Sequence, residues 1–309
     1  MAFLVEEILG ILGRIVMAKN VAIVIEEHEA SGYYLDIEGV KTFVMDQGSG
    51  EAVLCVHGVP TSSFLYRKVV LDLAEKGFRG ICIDLPGLGL SDRPENFDYR
   101  FSNFALFLEK TLERLKISNF HLVVHDIGGP IGFALAANNL ENVQSLTILN
   151  TMVDIANFTK PFVMRPFEFP VLGELELKCI THLTWPVMFG LMGVVNSEGI
   201  SSEEIKAYVD LLKRQDNGKA FLKIMRNFEQ SEAFQQLCDK TLKNVDYPMQ
   251  AIWGEKDPAL DIKRYGDAVL KHTDVKKIHG LNSKHLLQEE VPQEIADLII
   301  VQARSIRPE

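Results

Sequence analysis

The strongest constraint on the fold is an alternation of short apolar runs with amphipathic stretches, which starts near residue 52 and stops near residue 150. The strand-like runs occupy residues 52–56, 80–83, 120–124 and 145–149. Helical periodicity fills the intervals, at residues 63–76, 103–115 and 128–138. Strands that are apolar throughout and separated by helices are typical of a parallel sheet covered on both faces. The chain is therefore predicted to be an α/β protein.

Segments at both ends of this region extend the predicted sheet. Residues 34–37 and 41–45 predict a hairpin, and the strand pattern resumes at residues 249–253 and 275–278. Pro292 then opens a C-terminal helix, at a position where its missing N–H costs little. We expect a mostly parallel sheet of eight strands with helices on both faces.

The interruption of the strand pattern predicts the domain organisation. Residues 152–243 are helical in pattern, so we expect a helical cap inserted over the carboxyl edge of the sheet, where open α/β sheets bind ligands. Residues 31–151 and 244–309 form the core domain, and residues 1–30 form an N-terminal amphipathic helix and lead-in.

The cap contains one strongly apolar stretch, residues 180–195, which predicts either a buried helix or the lining of an apolar pocket. The candidate pocket residues are Trp185 and Phe189 within this stretch and Tyr208 after it. We expect the partners to be a small apolar organic substrate and water.

Composition excludes several classes of function. A net charge of −10 argues against nucleic-acid binding, which needs a basic face. The histidines and cysteines form no ligand cluster, and no dinucleotide fingerprint occurs, so we expect no metal and no cofactor. Four scattered cysteines without a CxxC spacing favour reduced thiols and a cytoplasmic location.

The N-terminus has apolar residues at helical spacing from Phe3 to Val16. It is too short to span a membrane and lacks the basic start of a signal peptide. We expect this helix to pack on the body or on a partner subunit, with peripheral membrane contact as the alternative. The sequence leaves open whether the protein is a monomer or a homodimer.

One segment joins a predicted strand directly to a helix through His125, Asp126 and Ile127, followed by two glycines. Such a sharp turn lifts one side chain above the sheet edge, and a serine usually occupies that nucleophile position. Here Asp126 occupies it, at the start of a helix whose dipole favours the ionised carboxylate. A carboxylate attacks a saturated carbon when held in line, so the expected intermediate is an alkyl ester of Asp126.

Hydrolysis of that ester needs a base with an orienting acid. The triad order in this architecture places the histidine after the last strand and the acid after the preceding one. We assign His285 as the base, with His279 as the alternative, and Asp257 as the acid, with Asp154 as the alternative. The expected oxyanion donors are the main-chain N–H groups of Val59 and Ile127.

The strings His57-Gly58-Val59-Pro60, Val124-His125-Asp126 and His285-Leu286-Leu287-Gln288-Glu289 together resemble the Asp-nucleophile branch of the α/β hydrolases. This branch contains the haloalkane dehalogenases and the epoxide hydrolases. The resemblance runs from about residue 34 to residue 300 and is weakest across the cap. It implies an α/β-hydrolase fold and hydrolysis through the Asp126 ester.

The chain departs from both relatives at the residues that assist the leaving group. Dehalogenases typically bind the halide through a tryptophan and an asparagine, at positions that here hold Ile127 and Val59. Trp185 could supply one donor from the cap. Epoxide hydrolases protonate the ring oxygen with two cap tyrosines, whereas this cap has only Tyr208, and Met225 stands near the expected second position.

Three functions fit these residues. The first is a hydrolase acting through the Asp126 ester on a strained lactone, an activated halide or an epoxide. The second is a ligand-binding or signalling module that retains the fold and the pocket. In the third, Asp126 is a general base in ester or lactone cleavage.

Overall fold

The computed structural model describes residues 20–306. The predicted amphipathic helix between Phe3 and Val16 lies outside these residues. The described chain begins with helix α1, Val21–Glu29, whose first turn is capped by the side chain of Asn20, which accepts the N–H of Ile23 at 2.9 Å.

One eight-stranded sheet forms the centre of the molecule. Its strands in chain order are β1 Gly32–Ile37, β2 Val40–Gly48, β3 Ala52–Val56, β4 Arg79–Ile83, β5 Phe120–His125, β6 Val143–Leu149, β7 Met249–Gly254 and β8 Ile278–Leu281. Their spatial order is β1-β2-β4-β3-β5-β6-β7-β8. The pairings of β1 with β2 and of β2 with β4 are antiparallel, and the other pairings are parallel. The predicted mostly parallel sheet of eight strands is confirmed.

Helices follow most of the strands. Between β3 and β6 lie α2 Ser63–Glu75, α3 Phe101–Leu115 and α4 Gly128–Asn138. Between β6 and β7 lie a 3-10 segment at Phe162–Glu168 and the helices α5 Leu172–Cys179, α6 Trp185–Met188, α7 Ser202–Lys213, α8 Lys219–Arg226 and α9 Glu232–Asp239. A π-helical turn, Phe189–Gly193, continues α6. The chain closes with α10 Asp267–His272, α11 Leu287–Glu290 and α12 Pro292–Arg304.

The core lies on both faces of the sheet, as the apolar strands require. Along β3, Leu54 and Val56 pack in one cluster with residues of α3 and α4, whereas Val53 and Cys55 pack in another with residues of α2 and α12. Because successive side chains of a strand point to opposite faces, a strand covered on both sides must be apolar throughout.

The last strand differs from its prediction. It was expected at residues 275–278, but it runs over Ile278–Leu281 and pairs with β7 from Ala251 onward. Val275 is buried in the core without joining the sheet, so its apolar character reflects packing rather than a strand. His279 consequently lies inside β8 and not after it.

Within residues 20–306, no helix combines the length and the apolar character needed to cross a membrane.

Candidate active site

The turn between β5 and α4 carries Asp126. Its φ of 53° lies in the left-handed region, which residues other than glycine uncommonly adopt, so the backbone is strained at this position. The turn is fixed by the N–H of Asp126, which donates to the carbonyl of Asn150 at 3.1 Å. A Cβ at Gly128 would lie 2.2 Å from the Val56 carbonyl, so the helix after the nucleophile can approach β3 only because glycine stands there.

The Asp126 carboxylate is held by the main chain. The N–H of Val59 donates to Oδ1 of Asp126 at 2.8 Å. Burial by itself raises the pKa of Asp126, but the nearby His285 and the N–H of Ile127 outweigh it, so the pKa lies below its ordinary value. The carboxylate is therefore ionised, with Oδ1 engaged.

His285 bridges the two carboxylates predicted for the triad. Its Nδ1 lies 2.8 Å from Oδ2 of Asp257, and its Nε2 lies 3.6 Å from Oδ2 of Asp126. The side chains of His285 and Asp126 are 14% and 16% exposed, whereas that of Asp257 is 0% exposed. The first two side chains are thus accessible, and Asp257 is buried behind them.

The charges of this arrangement favour an imidazolium. Burial lowers the pKa of His285, but the negative charge of Asp257, the hydrogen bond to it and the nearby Asp126 carboxylate outweigh it and raise the pKa to about 10. Burial raises the pKa of Asp257, and the charge of His285 with the surrounding donors overcomes this and lowers it to about 2.

Asn150 supports the acid and was not identified from the sequence. Its side-chain amide donates to Oδ2 of Asp257 at 2.6 Å, and its side-chain oxygen accepts the N–H of Gly254 at 2.9 Å. The N–H groups of Ala259 and Leu260 donate to Oδ1 of Asp257 at 2.7 and 3.0 Å. Its position directly after β6, at the sheet edge where the triad residues lie, was the sequence signal that could have identified Asn150 as a site residue.

His125, next to the nucleophile, is a second residue that sequence reasoning did not assign. Its ring centroid lies 4.7 Å from that of His285, and its Nε2–H donates to the main-chain carbonyl of His285 at 2.8 Å. Burial, followed by the charge of His285, lowers the pKa of His125 to about 3. The neutral ring therefore positions the His285 loop.

The alternative triad residues lie elsewhere. Asp154 accepts a hydrogen bond from the side chain of Asn157 at 2.9 Å, and His279 lies within β8. The structure brings together Asp126, His285 and Asp257.

Asp126 and His285 line a cavity of about 300 Å³ between the sheet edge and the helical segment that joins β6 to β7. The lining is mostly apolar and includes Val59, Ile127, Met152, Phe158, Met164, Phe167, Trp185, Phe189, Phe221, Met225, Phe228 and Leu260. Lys160 and Glu176 add charged groups to it. A volume of this size fits a small organic molecule.

Two of the three expected pocket residues, Trp185 and Phe189, line this cavity. The indole Nε1 of Trp185 is buried and has no hydrogen-bond partner among residues 20–306. Buried donors are normally paired, so this unpaired N–H is the candidate donor to a ligand in the cavity.

The prediction that Tyr208 is a pocket residue is wrong. Tyr208 is not among the described residues that line the cavity. Its hydroxyl donates to Oε1 of Glu289 at 2.5 Å, and its ring packs edge-on against Phe64 of α2. Arg67 binds the same Glu289 carboxylate. Tyr208 faces the core because this buried carboxylate needs donors, a demand that the sequence of α7 does not reveal.

Comparison with known proteins agrees with this fold. A family model described as alpha/beta hydrolase fold matches residues 51–178. Haloalkane dehalogenase 2 of Mycobacterium bovis is 27% identical over 271 residues, covering 83% of this chain and 89% of that protein. A cis-3-alkyl-4-alkyloxetan-2-one decarboxylase of Shewanella oneidensis is 40% identical over 132 residues, covering 42% of this chain and 41% of that protein.

Solved structures share the whole architecture. The haloalkane dehalogenase DbeA from Bradyrhizobium elkani matches with a TM-score of 0.73 and 24% identity, over 89% of this chain and 99% of that one. Epoxide hydrolases also share the fold. The chain has an α/β-hydrolase fold of the type found in haloalkane dehalogenases and epoxide hydrolases, and these similarities support a hydrolase of that superfamily.

Proposed function

We propose that this hydrolase acts through a covalent alkyl ester on Asp126. The observation that supports this best is the hydrogen bond of 2.8 Å from the Val59 N–H to Oδ1 of Asp126. In hydrolases with a serine nucleophile, the oxyanion donors bind the carbonyl oxygen of the substrate. Here one donor already holds an oxygen of the nucleophile, so the carbonyl of an Asp126 ester would form inside the oxyanion site.

In the first step, Oδ2 of Asp126 attacks a saturated carbon of the substrate. The new C–O bond forms as the leaving group departs with its electron pair. Oδ2 is the oxygen that the Val59 N–H leaves unengaged. An alkoxide leaving group takes the proton carried by His285, whereas a halide or a carboxylate departs as the anion and His285 releases its proton to solvent.

In the second step, water hydrolyses the ester. Alkylation removes the negative charge of Asp126, one of the two charges that raise the pKa of His285, so the neutral imidazole becomes accessible. His285 takes a proton from water, which attacks Cγ of Asp126. The oxyanion at Oδ1 is stabilised by the N–H groups of Val59 and Ile127, while Asp257 holds Nδ1 of His285. Collapse of this intermediate releases an alcohol.

The leaving group should need little assistance. Val59 and Ile127 offer no side-chain donor to it, and Tyr208 is directed away from the cavity. Trp185 remains as one donor. We therefore infer a substrate with ring strain or an activated bond, namely a lactone, an activated halide or an epoxide.

The 40% identity to the oxetan-2-one decarboxylase favours a β-lactone as a second, more specific candidate. Asp126 would attack the saturated ring carbon that is bonded to the ring oxygen. This attack breaks that C–O bond, opens the ring and leaves a carboxylate within the same molecule. Loss of carbon dioxide would then form an alkene and expel Asp126 as a carboxylate. This route requires no attack by water, so its products differ from those of hydrolysis.

The decisive experiment is intact-protein mass spectrometry of the His285→Gln variant after exposure to haloalkanes, epoxides and β-lactones. This variant should accumulate a stoichiometric ester on Asp126, because the glutamine cannot activate water. The double variant with Asp126→Asn is the matched control and should stay unmodified.

Three other outcomes lead to different conclusions. No adduct in folded protein across all three classes would contradict the covalent mechanism and favour the ligand-binding or general-base alternative. Labelled oxygen from water that never enters Asp126 during turnover would favour the general base. An alkene with carbon dioxide, rather than a hydroxy acid, from a β-lactone would favour the decarboxylase candidate.

A further inference from the structure

Glu290, the last residue of α11, binds two separate parts of the chain through its two carboxylate oxygens. Its Oε1 accepts the main-chain N–H groups of Val195 and Asn196 at 2.8 and 2.9 Å. Both residues belong to the helical segment between β6 and β7, residues 150–248, which we call the β6–β7 segment. One oxygen of Glu290 is therefore bound to the segment that supplies much of the cavity wall.

The other oxygen of Glu290 binds the two residues that precede His285. Its Oε2 accepts the hydroxyl of Ser283 at 2.7 Å and the main-chain N–H of Lys284 at 3.3 Å. Ser283 is buried, so water does not compete for its hydroxyl. A single carboxylate thus fastens the loop that carries His285 to the β6–β7 segment.

The residue that follows His285 is bound to the same segment. The N–H of Leu286 donates to the main-chain carbonyl of Gly193 at 2.8 Å, and Gly193 lines the cavity. Hydrogen bonds to a carboxylate are stronger than those between neutral groups, so the bonds of Glu290 form the stronger link. His285 is therefore held on both sides, and the link before it depends on Glu290.

His285 has different tasks in the two proposed steps. When the leaving group departs as an anion, ester formation needs Oδ2 of Asp126, which the Val59 N–H holds in place through Oδ1. Hydrolysis needs Nε2 of His285 beside the attacking water. Nε2 lies 3.6 Å from Oδ2 of Asp126, and a shift of about 1 Å in a reacting group can cost about a hundredfold in rate. A displaced His285 loop should therefore slow hydrolysis and spare ester formation.

We propose that Glu290 is a positioning residue for hydrolysis of the Asp126 ester. By fastening the His285 loop to the β6–β7 segment, it keeps the imidazole within reach of the water that attacks the ester. The β6–β7 segment then acts on the base as well as lining the cavity. This inference rests on the proposed covalent function, so its test includes a variant that checks that function separately.

The test compares Glu290→Ala with wild type, using bromobutane and β-butyrolactone, whose leaving groups depart as anions. Hydrolysis should slow about tenfold, and intact-protein mass spectrometry should show the Asp126 ester accumulating during turnover. The values of kcat and KM should fall together while kcat/KM stays unchanged, because kcat/KM reports the steps up to ester formation. Val195 and Asn196 are exposed, so water can satisfy their N–H groups and the variant should fold.

Three further variants sharpen the test. Glu290→Gln should restore most of the hydrolysis rate, because its amide oxygen can accept from the β6–β7 segment while its NH2 group donates to the Ser283 hydroxyl. Ser283→Ala removes the hydroxyl on the loop side and should accumulate ester as Glu290→Ala does. Glu198→Ala is the matched control, because this exposed carboxylate accepts the side-chain amide of Asn196 at 3.2 Å and should behave as wild type.

The His285→Gln variant separates failure of this inference from failure of the proposed function. An adduct in His285→Gln without accumulation in Glu290→Ala would overturn the inference alone. No adduct in His285→Gln with either compound would overturn the covalent route for these substrates, and the inference with it. A loss of kcat at unchanged KM would show that Glu290 is merely structural. Should Glu290→Ala fail to fold, Ser283→Ala decides: accumulated ester supports the inference, and wild-type kinetics overturn it.

Discussion

Asn150 donates its side-chain amide to Oδ2 of Asp257 over 2.6 Å, the same carboxylate oxygen that lies 2.8 Å from Nδ1 of His285. The orientation of the imidazole therefore depends on a neutral residue at the end of the neighbouring strand as well as on the acid. This relationship leads to the first prediction.

Replacing Asn150 by alanine should lower kcat about tenfold and shift the pH–rate profile. Without the amide donor, the pKa of Asp257 rises, because this hydrogen bond contributes to keeping it low. The profile of kcat/KM against pH checks this, with Asn157→Ala as the control, since Asn157 bonds the exposed carboxylate of Asp154. Parallel profiles for wild type and Asn150→Ala would mean that Asn150 is only structural.

Replacing Gly58 by alanine should reduce kcat/KM at least about a hundredfold. An added Cβ would lie 2.2 Å from Oδ1 of Asp126, so the carboxylate would have to leave the Val59 N–H. Gly190→Ala is the matched control, because a Cβ there has no atom within 4 Å. Steady-state kinetics of both variants check this, and equal activity would show that the bond from Val59 to Asp126 is dispensable.

The stability difference between wild type and His285→Gln should depend on pH. The pKa of His285 is raised from 6.5 to about 10, so its favourable contribution is complete below about pH 6.5 and is lost as pH rises towards 10. Urea unfolding should show the difference shrinking by on the order of 1–3 kcal/mol over this range. His182→Gln, which removes an exposed hydrogen bond to Asp210, is the matched control. A constant difference for His285→Gln would argue against the imidazolium.

Trp185→Phe should lower kcat/KM about tenfold or more for substrates with a halide leaving group. The buried Nε1–H has no partner among the described residues and is the available donor for a departing anion. Single-turnover kinetics of Trp185→Phe in the His285→Gln background should show slower ester formation. The final stoichiometry of the adduct should be unchanged. If the rate of ester formation is unchanged for every substrate, Trp185 only shapes the cavity.

Tyr208→Phe should destabilise the fold by about 1–3 kcal/mol without changing KM or kcat at low temperature. The substitution removes a donor from the buried carboxylate of Glu289, which is also bound by Arg67. Tyr33→Phe, which loses a bond to Asp46 at the surface, should change stability by less than about 0.5 kcal/mol. A large increase in KM for Tyr208→Phe would indicate that Tyr208 contacts the substrate after all.

Helix and strand periodicity is a local property of the chain. The sequence was therefore sufficient to predict those parts of the fold that local patterns determine. The apolar runs that became β3, β5 and β6 could form only a sheet buried on both faces. The Asp126 turn, Asp257 and His285 could be placed in order because each follows a strand, and parallel strands end at one edge. The sequence was misleading at residues 275–278, where an apolar residue is buried without belonging to a strand.

The sequence by itself determined the α/β architecture and which residue types stand at the ends of its strands. Only the tertiary structure decided that Oδ1 of Asp126 is bound by Val59, that Asn150 supports Asp257, and that Tyr208 faces Glu289 rather than the cavity. The physical reason is that hydrogen bonds and buried charges are satisfied by groups far apart in the chain. Their pairing depends on distances that no local periodicity encodes.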